Sequence, residues 1–293
     1  MSHFNFTINT EEMQDILNET LEKIAKRVEY KNSILSNFKN TLTEKQFKYL
    51  TECGDFIGVN KDKKIVKANF CKNRLCPVCN RRYSAQKWAK MKNISNQIKI
   101  DFNPVFALFT VTVKNVKAEM LSQEITRLMK SIDRMHKSTL WKQKVIGYFR
   151  SLEITYNKKE NTYHPHYHYI LALPTDYTEE MTPTYEWRQL WERSARLNYN
   201  SQIDIRLISE NNLDGGIAEV AKYAVKISSV ITKGETALKT VQNAIKGRRL
   251  ISYGGAMKQY AQEFDNLKDE DYDPEYVEHY EYNRSTGLYQ RTL

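Results

Sequence analysis

Three of the six histidines in this chain of 293 residues lie at alternate positions of one short stretch, Tyr163–Leu173. The stretch ends in mostly apolar residues and is closed by Pro174, a pattern that predicts a β-strand. Residues two positions apart in a strand point to the same face, so His164, His166 and His168 are expected side by side. Neutral imidazole is a common metal ligand, and the stretch therefore predicts a partial coordination sphere. A solvated histidine cluster is the alternative.

The preceding strand carries a carboxylate that can complete this site. Residues 145–156 are predicted as a strand, and the loop 157–162 is predicted to turn back into the histidine strand as an antiparallel hairpin. A register that sets Glu153 opposite His166 or His168 brings its carboxylate within reach of a shared divalent ion. A register shifted by one residue turns Glu153 to the other face, and the loop does not decide between them. A Glu153 that pairs with a lysine on an exposed face is the alternative.

The four cysteines of the chain are grouped as Cys53, Cys71, Cys76 and Cys79, with the last two in a Cys-Pro-Val-Cys turn. Such a turn provides two ligands from one loop, and four thiolates form the tetrahedral site of structural zinc. The spacing therefore predicts a closed Zn²⁺ site that folds its segment and leaves no open position for a substrate. Free thiols or a redox pair are the alternative.

The positive charge of the chain is unevenly distributed. The formal net charge is +10, but the residues after Gln262 include nine acidic and three basic side chains, so the first 262 residues carry +16. Lysine and arginine side chains that neutralise phosphates release counterions, and the nineteen tyrosines can stack on unpaired bases. A nucleic-acid partner is indicated, with a merely biased composition as the alternative.

A basic helix is predicted directly after the cysteines, over residues 80–92. It carries Arg81, Arg82 and Lys87 together with two further lysines. A small metal-bound unit followed by a basic helix is typical of DNA binding. A solvated helix face is the alternative.

No apolar run reaches the length of about eighteen residues that a membrane span needs. The first residues also lack the basic segment and apolar core of a signal peptide. We therefore expect a soluble, cytoplasmic protein with no membrane partner.

The remaining elements predict an α+β fold. After amphipathic helices at 9–30 and 34–50, the pattern of apolar residues alternates between strands and helices. The predicted elements are a strand at 106–113, a helix at 118–140, the two hairpin strands, a helix at 184–197, a strand at 202–208 and a helix at 217–227. This order indicates a central antiparallel sheet of the split βαβ, ferredoxin-like type with flanking helices, preceded by an N-terminal helical and zinc-binding segment.

Taken together, these motifs resemble those of the rolling-circle replication initiators of bacterial plasmids, which are His-hydrophobic-His (HUH) endonucleases. The resemblance covers roughly residues 50 to 260, and the motifs are specific as an ordered set. They are Phe109–Val113, the Cys-Pro-Val-Cys element, Arg150–Thr155, His166-Tyr167-His168, Glu219–Lys226, Gly247-Arg248-Arg249 and Tyr253-Gly254-Gly255.

The resemblance implies a metal-dependent DNA-nicking endonuclease and strand transferase. Its metal, Mg²⁺ or Mn²⁺, would be held by Glu153, His166 and His168. The role of His164 is left open by the sequence, because its imidazole can displace or supplement a ligand or donate to the phosphate.

In the single-tyrosine branch of this family, the resemblance implies that Tyr223 is the nucleophile and that Lys226 assists it. The products would be a 5′-phosphotyrosine and a free 3′-OH. Glu219, four residues before the tyrosine, would activate water for the final cleavage, while a Glu219 that only pairs with Lys222 is the alternative. Arg248 and Arg249 are added to the predicted DNA-binding residues.

The implied partners are plasmid origin DNA, as a single-stranded or hairpin nick site with adjacent duplex, and a host helicase and polymerase. The oligomeric state is open between a monomer and a homodimer. Two rival hypotheses are a non-catalytic zinc-containing DNA- or RNA-binding protein and a related HUH transposase or relaxase.

We expect four segments along the chain. Residues 1–50 are the N-terminal helical segment, 51–100 the four-cysteine element with the basic helix, 101–261 the HUH endonuclease domain and 262–293 an acidic C-terminal tail. We expect residues 269–275 of this segment to be flexible or to contact a partner.

Overall fold

The computed structural model of the chain describes residues 10–221, 230, 234–267 and 278–292. The described residues form two compact units. The first unit comprises residues up to Arg81 together with 278–292, and the second comprises those between Arg82 and Asp269.

The elements are numbered along the chain. The helices are α1 Thr10–Ser33, α2 Glu44–Thr51, α3 Pro77–Phe102, α4 Leu121–Lys137, α5 Thr139–Lys144, α6 Thr184–Ala195, α7 Leu213–Ala221, α8 Glu235–Ile245 and α9 Ala256–Leu267. Short 3-10 turns lie at Leu35–Phe38, Ala118–Met120 and Glu210–Asn212. The strands are β1 Phe56–Val59, β2 Ile65–Ala68, β3 Val105–Thr112, β4 Gly147–Asn157, β5 Thr162–Leu173, β6 Ile203–Ile208, β7 Ile251–Gly255, β8 Glu278–Asn283 and β9 Leu288–Arg291.

The first unit contains an antiparallel sheet with the strand order β2-β1-β8-β9. Leu17 and Leu21 lie one helical turn apart on α1, which places both on one side of the helix. They pack with Ile57 and Tyr280 of the sheet in a buried apolar cluster. The spacing of the apolar residues predicts a helix here because one side of α1 is buried against the sheet.

Residues 278–292 belong to the segment that the sequence predicts as an acidic tail. They form β8 and β9, and β8 pairs with β1, in which Ile57 lies opposite Tyr280. Tyr280 and Tyr282 alternate along β8 and are both buried. The segment predicted to be flexible or to contact a partner, residues 269–275, lies outside the described residues.

The second unit contains an antiparallel sheet with the strand order β6-β3-β5-β4-β7. The chain order β3-α4-β4-β5-α6-β6 with this spatial arrangement is the split βαβ topology, and β7 adds a fifth strand beside β4. The predicted α+β fold with a central antiparallel sheet and flanking helices is therefore confirmed.

Helices cover both faces of this sheet. On one face, Phe109 and Tyr169 pack against Trp141 of α5 and Trp187 of α6, with ring centroids 5.3–6.5 Å apart. On the other face, the residues of β4 and β5 pack in a second cluster with α3, α7 and α9. Its members include Met91, Ile94, Phe149, Ile170, Leu213, Ile217, Val220, Met257 and Ala261.

The predicted strands and helices of this unit lie within a few residues of the observed ones, except that the helix predicted at 118–140 is divided into a 3-10 turn, α4 and α5. The predicted helix at 217–227 begins earlier, at Leu213, and its part beyond Ala221 lies outside the described residues. The sequence interpretation missed α8, α9 and β7. Among the described residues, no helix is long and apolar enough to cross a membrane.

Candidate active site

The strand registers bring the predicted metal ligands onto one face of the second sheet. Glu153 of β4 lies directly opposite His166 of β5, and Ser151 lies opposite His168. On the other side of β5, Thr110 of β3 lies opposite His168. Directly opposed residues of antiparallel strands point to the same face, so these side chains form a row across three strands. The sequence left the register open. In the observed register Glu153 lies opposite His166, and its carboxylate is on the same face as the histidines.

The three ligand atoms converge on a small volume. The Oε2 atom of Glu153 lies 2.8 Å from Nε2 of His168 and 3.3 Å from Nε2 of His166. One ligand atom from each residue lies within 4.8 Å of the others. The side chains are 10–16% exposed, so the group is largely enclosed but is reached by solvent. The arrangement can hold a metal ion.

Hydrogen bonds fix the orientation of both imidazole rings. The Nδ1 atom of His166 lies 3.0 Å from the main-chain carbonyl oxygen of His164. The Nδ1 atom of His168 lies 2.9 Å from the hydroxyl of Thr110. Both rings therefore turn their Nε2 atoms toward Glu153, as metal-binding histidines held by outer partners do.

The charge state of Glu153 follows from two opposing effects. Burial raises the pKa of its carboxyl, but hydrogen bonds to His166 and His168 lower it, and the net pKa lies well below its usual range. The carboxyl is therefore ionised at neutral pH, which is the form that binds a cation.

His164 stands apart from this group of three. Its ring stacks on that of His166 with centroids 4.8 Å apart, and its main-chain carbonyl faces Nδ1 of His166. Burial and the neighbouring His166 lower the pKa of its ring below the usual value. His164 thus contributes a main-chain oxygen to the orientation of His166, while its role as a ligand stays a prediction.

Helix α7 packs on the same face as the metal-binding group. Ile217 and Val220 of α7 lie in the cluster with Phe149 and Ile170, a strand pair that lies two residue pairs from His168 and four from His166. The hydroxyl of Ser151 donates a 2.7 Å hydrogen bond to the main-chain carbonyl of Val220.

Of the predicted catalytic residues, only Glu219 lies in the described part of this helix. Glu219 lies on the exposed side of α7. Tyr223 and Lys226 lie outside the described residues, as does Lys222, the alternative partner of Glu219. The roles of these residues in catalysis stay predictions.

Two residues near the group were missed by the sequence interpretation, Thr110 and Ser151. Each carries a hydroxyl in a strand whose buried positions are largely apolar. Each lies opposite His168 in the observed register. Only the register identifies them, because hydroxyl side chains are also common on solvated strand faces.

The four cysteines form a compact cluster within the first unit. One sulfur atom from each lies within 4.8 Å of the others, and Cys53, Cys76 and Cys79 are buried. The main-chain N–H of Cys71 donates to the Cys53 sulfur at 3.3 Å. Hydrogen bonds from the other three thiols lower the pKa of Cys79 below the usual range. The cluster can hold a metal ion with four sulfur ligands.

Residues from both ends of the chain enclose the Cys53 loop. The buried ammonium group of Lys31 donates to the carbonyl oxygens of Thr51 and Cys53 at 2.6 and 2.9 Å. Tyr289 of β9 donates to the carbonyl oxygen of Gly54, and Arg284 pairs with Asp55 at 2.7 Å. The C-terminal strands are thus part of the structure that shapes the cysteine cluster.

The predicted DNA-binding residues differ in their surroundings. Arg81, Arg82 and Arg249 are exposed, and Lys87 is half-buried. Arg248 is anchored within the protein, because its guanidinium donates to Ser122 and Thr126 of α4 at 2.9–3.0 Å. Their contact with DNA stays a prediction for all five.

The whole sequence was also compared with known proteins. The model of one family, described as "Replication protein", matches residues 62–289. "Protein rep" of Streptococcus pneumoniae serotype 2 is 32% identical over 233 residues, which cover 76% of this chain and 72% of the relative. "Protein rep" of a Bacillus species is 31% identical over 253 residues, covering 77% and 82%.

A third relative, "Protein rep" of Staphylococcus aureus, is 31% identical over 217 residues, which cover 71% of this chain and 94% of the relative. No solved structure gives a significant match. The chain therefore belongs to the replication protein family, the plasmid replication initiators that its motifs resemble.

Proposed function

We propose that this protein starts plasmid replication by nicking one DNA strand at the origin through tyrosine attack. The observation that carries the proposal is the convergence of Glu153, His166 and His168 on the sheet face against which α7 packs. Tyr223 follows the last described residue of α7 by two positions. The proposed nucleophile is therefore close in sequence to an element fixed beside the metal-binding group.

The donor set fits Mg²⁺ or Mn²⁺ bound for catalysis. Two imidazole nitrogens and one carboxylate are typical of a site that leaves open positions for a substrate oxygen. A bound divalent ion would withdraw charge from the scissile phosphate and favour attack on it. The protein's own contribution is to hold Glu153 ionised and both Nε2 atoms turned inward.

In the proposed cleavage, the phenolic oxygen of Tyr223 attacks the scissile phosphorus and the bond from phosphorus to the 3′ oxygen breaks. The tyrosine gives up its proton to a base, and the leaving 3′ oxygen takes one up from solvent. The products are a 5′-phosphotyrosine and a free 3′-OH, so atoms and charge balance without a further reactant. Lys226 would stabilise the phenolate, since a phenol with a pKa of about 10 is otherwise a poor nucleophile.

Termination would use a second cleavage. Glu219 lies four residues before Tyr223 in the sequence, the spacing at which side chains on a helix are neighbours. In the proposed role, the Glu219 carboxylate takes a proton from the attacking water, so that the last phosphodiester is hydrolysed. The 5′-phosphotyrosine of the first cleavage is resolved by strand joining.

The partners follow from this chemistry. The substrate is plasmid origin DNA, presented as a single-stranded or hairpin nick site with adjacent duplex, and Arg81, Arg82, Lys87, Arg248 and Arg249 are the proposed contacts. A host polymerase would extend the 3′-OH and a host helicase would separate the strands. A homodimer would allow two sites to act on one origin.

The cysteine cluster fits structural Zn²⁺. Four thiolates within reach of one ion make a closed tetrahedral site, and such a site contributes to folding and leaves no position for a substrate. We assign Zn²⁺ to this cluster and the catalytic ion to the second unit.

The proposal is tested by incubating the full chain with single-stranded origin oligonucleotides and Mn²⁺ and then separating the products under denaturing conditions. The wild-type protein is expected to form one covalent protein–DNA adduct, and Tyr223→Phe none. Tyr185→Phe is the matched control, because Tyr185 is 55% exposed on α6. An adduct of normal yield in the Tyr223→Phe protein would contradict the assignment of the nucleophile.

The metal is tested in the same assay by chelation and by His168→Ala. We expect the rate of adduct formation to fall by about a hundredfold or more, since a bound ion contributes several kcal/mol to such reactions. DNA binding without any adduct in the wild-type protein would favour the rival hypothesis of a non-catalytic binding protein.

A further inference from the structure

His168 is held at both of its ring nitrogens. Its Nε2 atom lies 2.8 Å from Oε2 of Glu153, and its Nδ1 atom lies 2.9 Å from the hydroxyl oxygen of Thr110. Thr110 and His168 are directly paired across β3 and β5, so the contact follows from the strand register. The ring is thereby fixed between β3 and β4.

The two histidines differ in the group that faces Nδ1. For His166 this group is the carbonyl oxygen of His164, which can only accept a hydrogen bond. When a cation occupies the position facing Nε2, the one hydrogen of a neutral His166 ring lies on Nδ1, where this carbonyl oxygen accepts it. For His168 the group is a hydroxyl, which can donate or accept.

A cation bound at Nε2 of His168 requires the ring hydrogen on Nδ1, because a neutral imidazole carries only one. We infer that Thr110 is a positioning residue for the metal-binding group: its hydroxyl accepts the Nδ1–H of His168 and so directs the Nε2 lone pair toward a divalent cation shared with Glu153 and His166. The inference rests on the proposed function, because it needs a cation at this group.

Thr112 provides a matched control on the same strand. It lies two residues further along β3, opposite His166, and is half-buried like Thr110. Its hydroxyl donates a 2.7 Å hydrogen bond to the main-chain carbonyl of Gln202 and not to a histidine ring. A change from threonine to valine removes one hydroxyl at nearly constant shape at either position, and valine is favoured in strands.

The test is the dissociation constant for Mn²⁺ of the full chain, measured by electron paramagnetic resonance of the free ion. We expect Thr110→Val to raise it by about tenfold or more, since loss of an outer partner of a metal-binding histidine weakens binding by 10–100-fold. Thr110→Ser keeps the hydroxyl and Thr112→Val leaves the outer partners of both histidines in place, so both variants are expected to stay within about twofold of the wild-type protein. Thermal unfolding of each variant shows whether it is folded.

A second measurement detects the hydrogen on Nδ1 of His168 directly by NMR. In ¹⁵N-histidine-labelled protein with Mg²⁺, the Nδ1–H signal of His168 is expected in the wild-type and Thr110→Ser proteins and lost to solvent exchange in Thr110→Val. If Thr110→Val does not fold, Thr110→Ala provides a second variant without the hydroxyl.

The outcomes distinguish a failure of the role inferred for Thr110 from a failure of the proposed metal site. Equal Mn²⁺ binding by wild-type and Thr110→Val proteins overturns the inference, as does equal weakening by Thr112→Val or a failure of Thr110→Ser to restore binding. A wild-type protein that does not bind Mn²⁺ overturns the metal site of the proposed function, and the inference with it.

Discussion

Ser151 donates a 2.7 Å hydrogen bond to the main-chain carbonyl of Val220, and this bond joins α7 to the strand that carries Glu153. Both residues are buried. The bond therefore attaches α7 to β4 at Val220, three residues before Tyr223 in the sequence.

We expect Ser151→Ala to slow the formation of the covalent adduct without weakening Mn²⁺ binding. The change removes a buried hydrogen bond between α7 and β4, which costs about 0.5–1.5 kcal/mol and loosens α7 against the strand. A barrier higher by roughly 1.4 kcal/mol would reduce the rate about tenfold. Single-turnover adduct formation and Mn²⁺ titration measure the two effects separately.

Ser131→Ala is the control for this experiment. Ser131 is also buried and donates to a main-chain carbonyl, that of Arg127 at 2.8 Å, but within its own helix α4. If both variants slow adduct formation equally, the link between Ser151 and α7 has no specific role in the reaction.

Arg248 and Arg249 are expected to behave differently although they are neighbours in the sequence. Arg249 is exposed, so Arg249→Ala should weaken DNA binding and reduce the slope of log affinity against log salt by about 0.7–0.9, the value for one phosphate contact. Arg248→Ala should mainly lower the thermal stability, because the guanidinium of Arg248 binds Ser122 and Thr126. Fluorescence anisotropy over a salt series and thermal unfolding distinguish the two. Equal changes in salt slope would show that Arg248 also contacts DNA.

The C-terminal strands should affect the retention of zinc. Tyr289 donates a hydrogen bond to the carbonyl oxygen of Gly54, next to Cys53, and packs on the core of the first unit. Tyr289→Ala is expected to destabilise that unit by about 2 kcal/mol and to speed the loss of zinc to a chromogenic chelator. Leu288→Ala is the control, because Leu288 is the preceding residue and is 54% exposed. Equal zinc release by the two variants would contradict the link between strand and cluster.

The sequence predicted the histidine strand and its hairpin because both depend on local patterns. Alternating residues define the shared face of His166 and His168, and the turn residues between two strand-like runs define the hairpin. The register of Glu153 could not be predicted, since it depends on the conformation of the turn, in which Asn161 adopts a positive φ of 52°. A shift of one residue would have turned the carboxylate to the opposite face.

The strands at the C-terminus were missed for a different reason. The acidic residues of this segment dominate its composition, although Tyr280 and Tyr282 alternate as in a half-buried strand. Their stabilising partner, β1, is more than two hundred residues away in the sequence, and no local pattern contains that pairing. Arg248 shows the same limit, because charge alone does not reveal that a guanidinium is bound by neighbouring helix residues.

The stability of the protein should fall in mild acid because of His136. Its Nδ1 and Nε2 atoms lie 3.0 and 3.3 Å from the hydroxyls of Tyr148 and Tyr169, and its ring stacks on Trp141. Burial, with a smaller effect of the Arg150 charge, lowers the pKa of His136 to about 3. The unfolded chain binds this proton near pH 6.5 and the folded protein does not, so the contribution of His136 is present above about pH 6.5 and is lost as the pH falls toward 3.

His136→Gln should therefore flatten the pH dependence of the unfolding free energy below pH 6.5. The slope that one proton contributes is at most about 1.4 kcal/mol per pH unit, and glutamine keeps a polar side chain beside the two tyrosine hydroxyls. Urea unfolding of both proteins at pH 7.5 and 5.5 gives the difference in slope, in which the effects of all carboxyl groups common to both cancel. Parallel profiles would show that His136 titrates alike in the folded and unfolded chains.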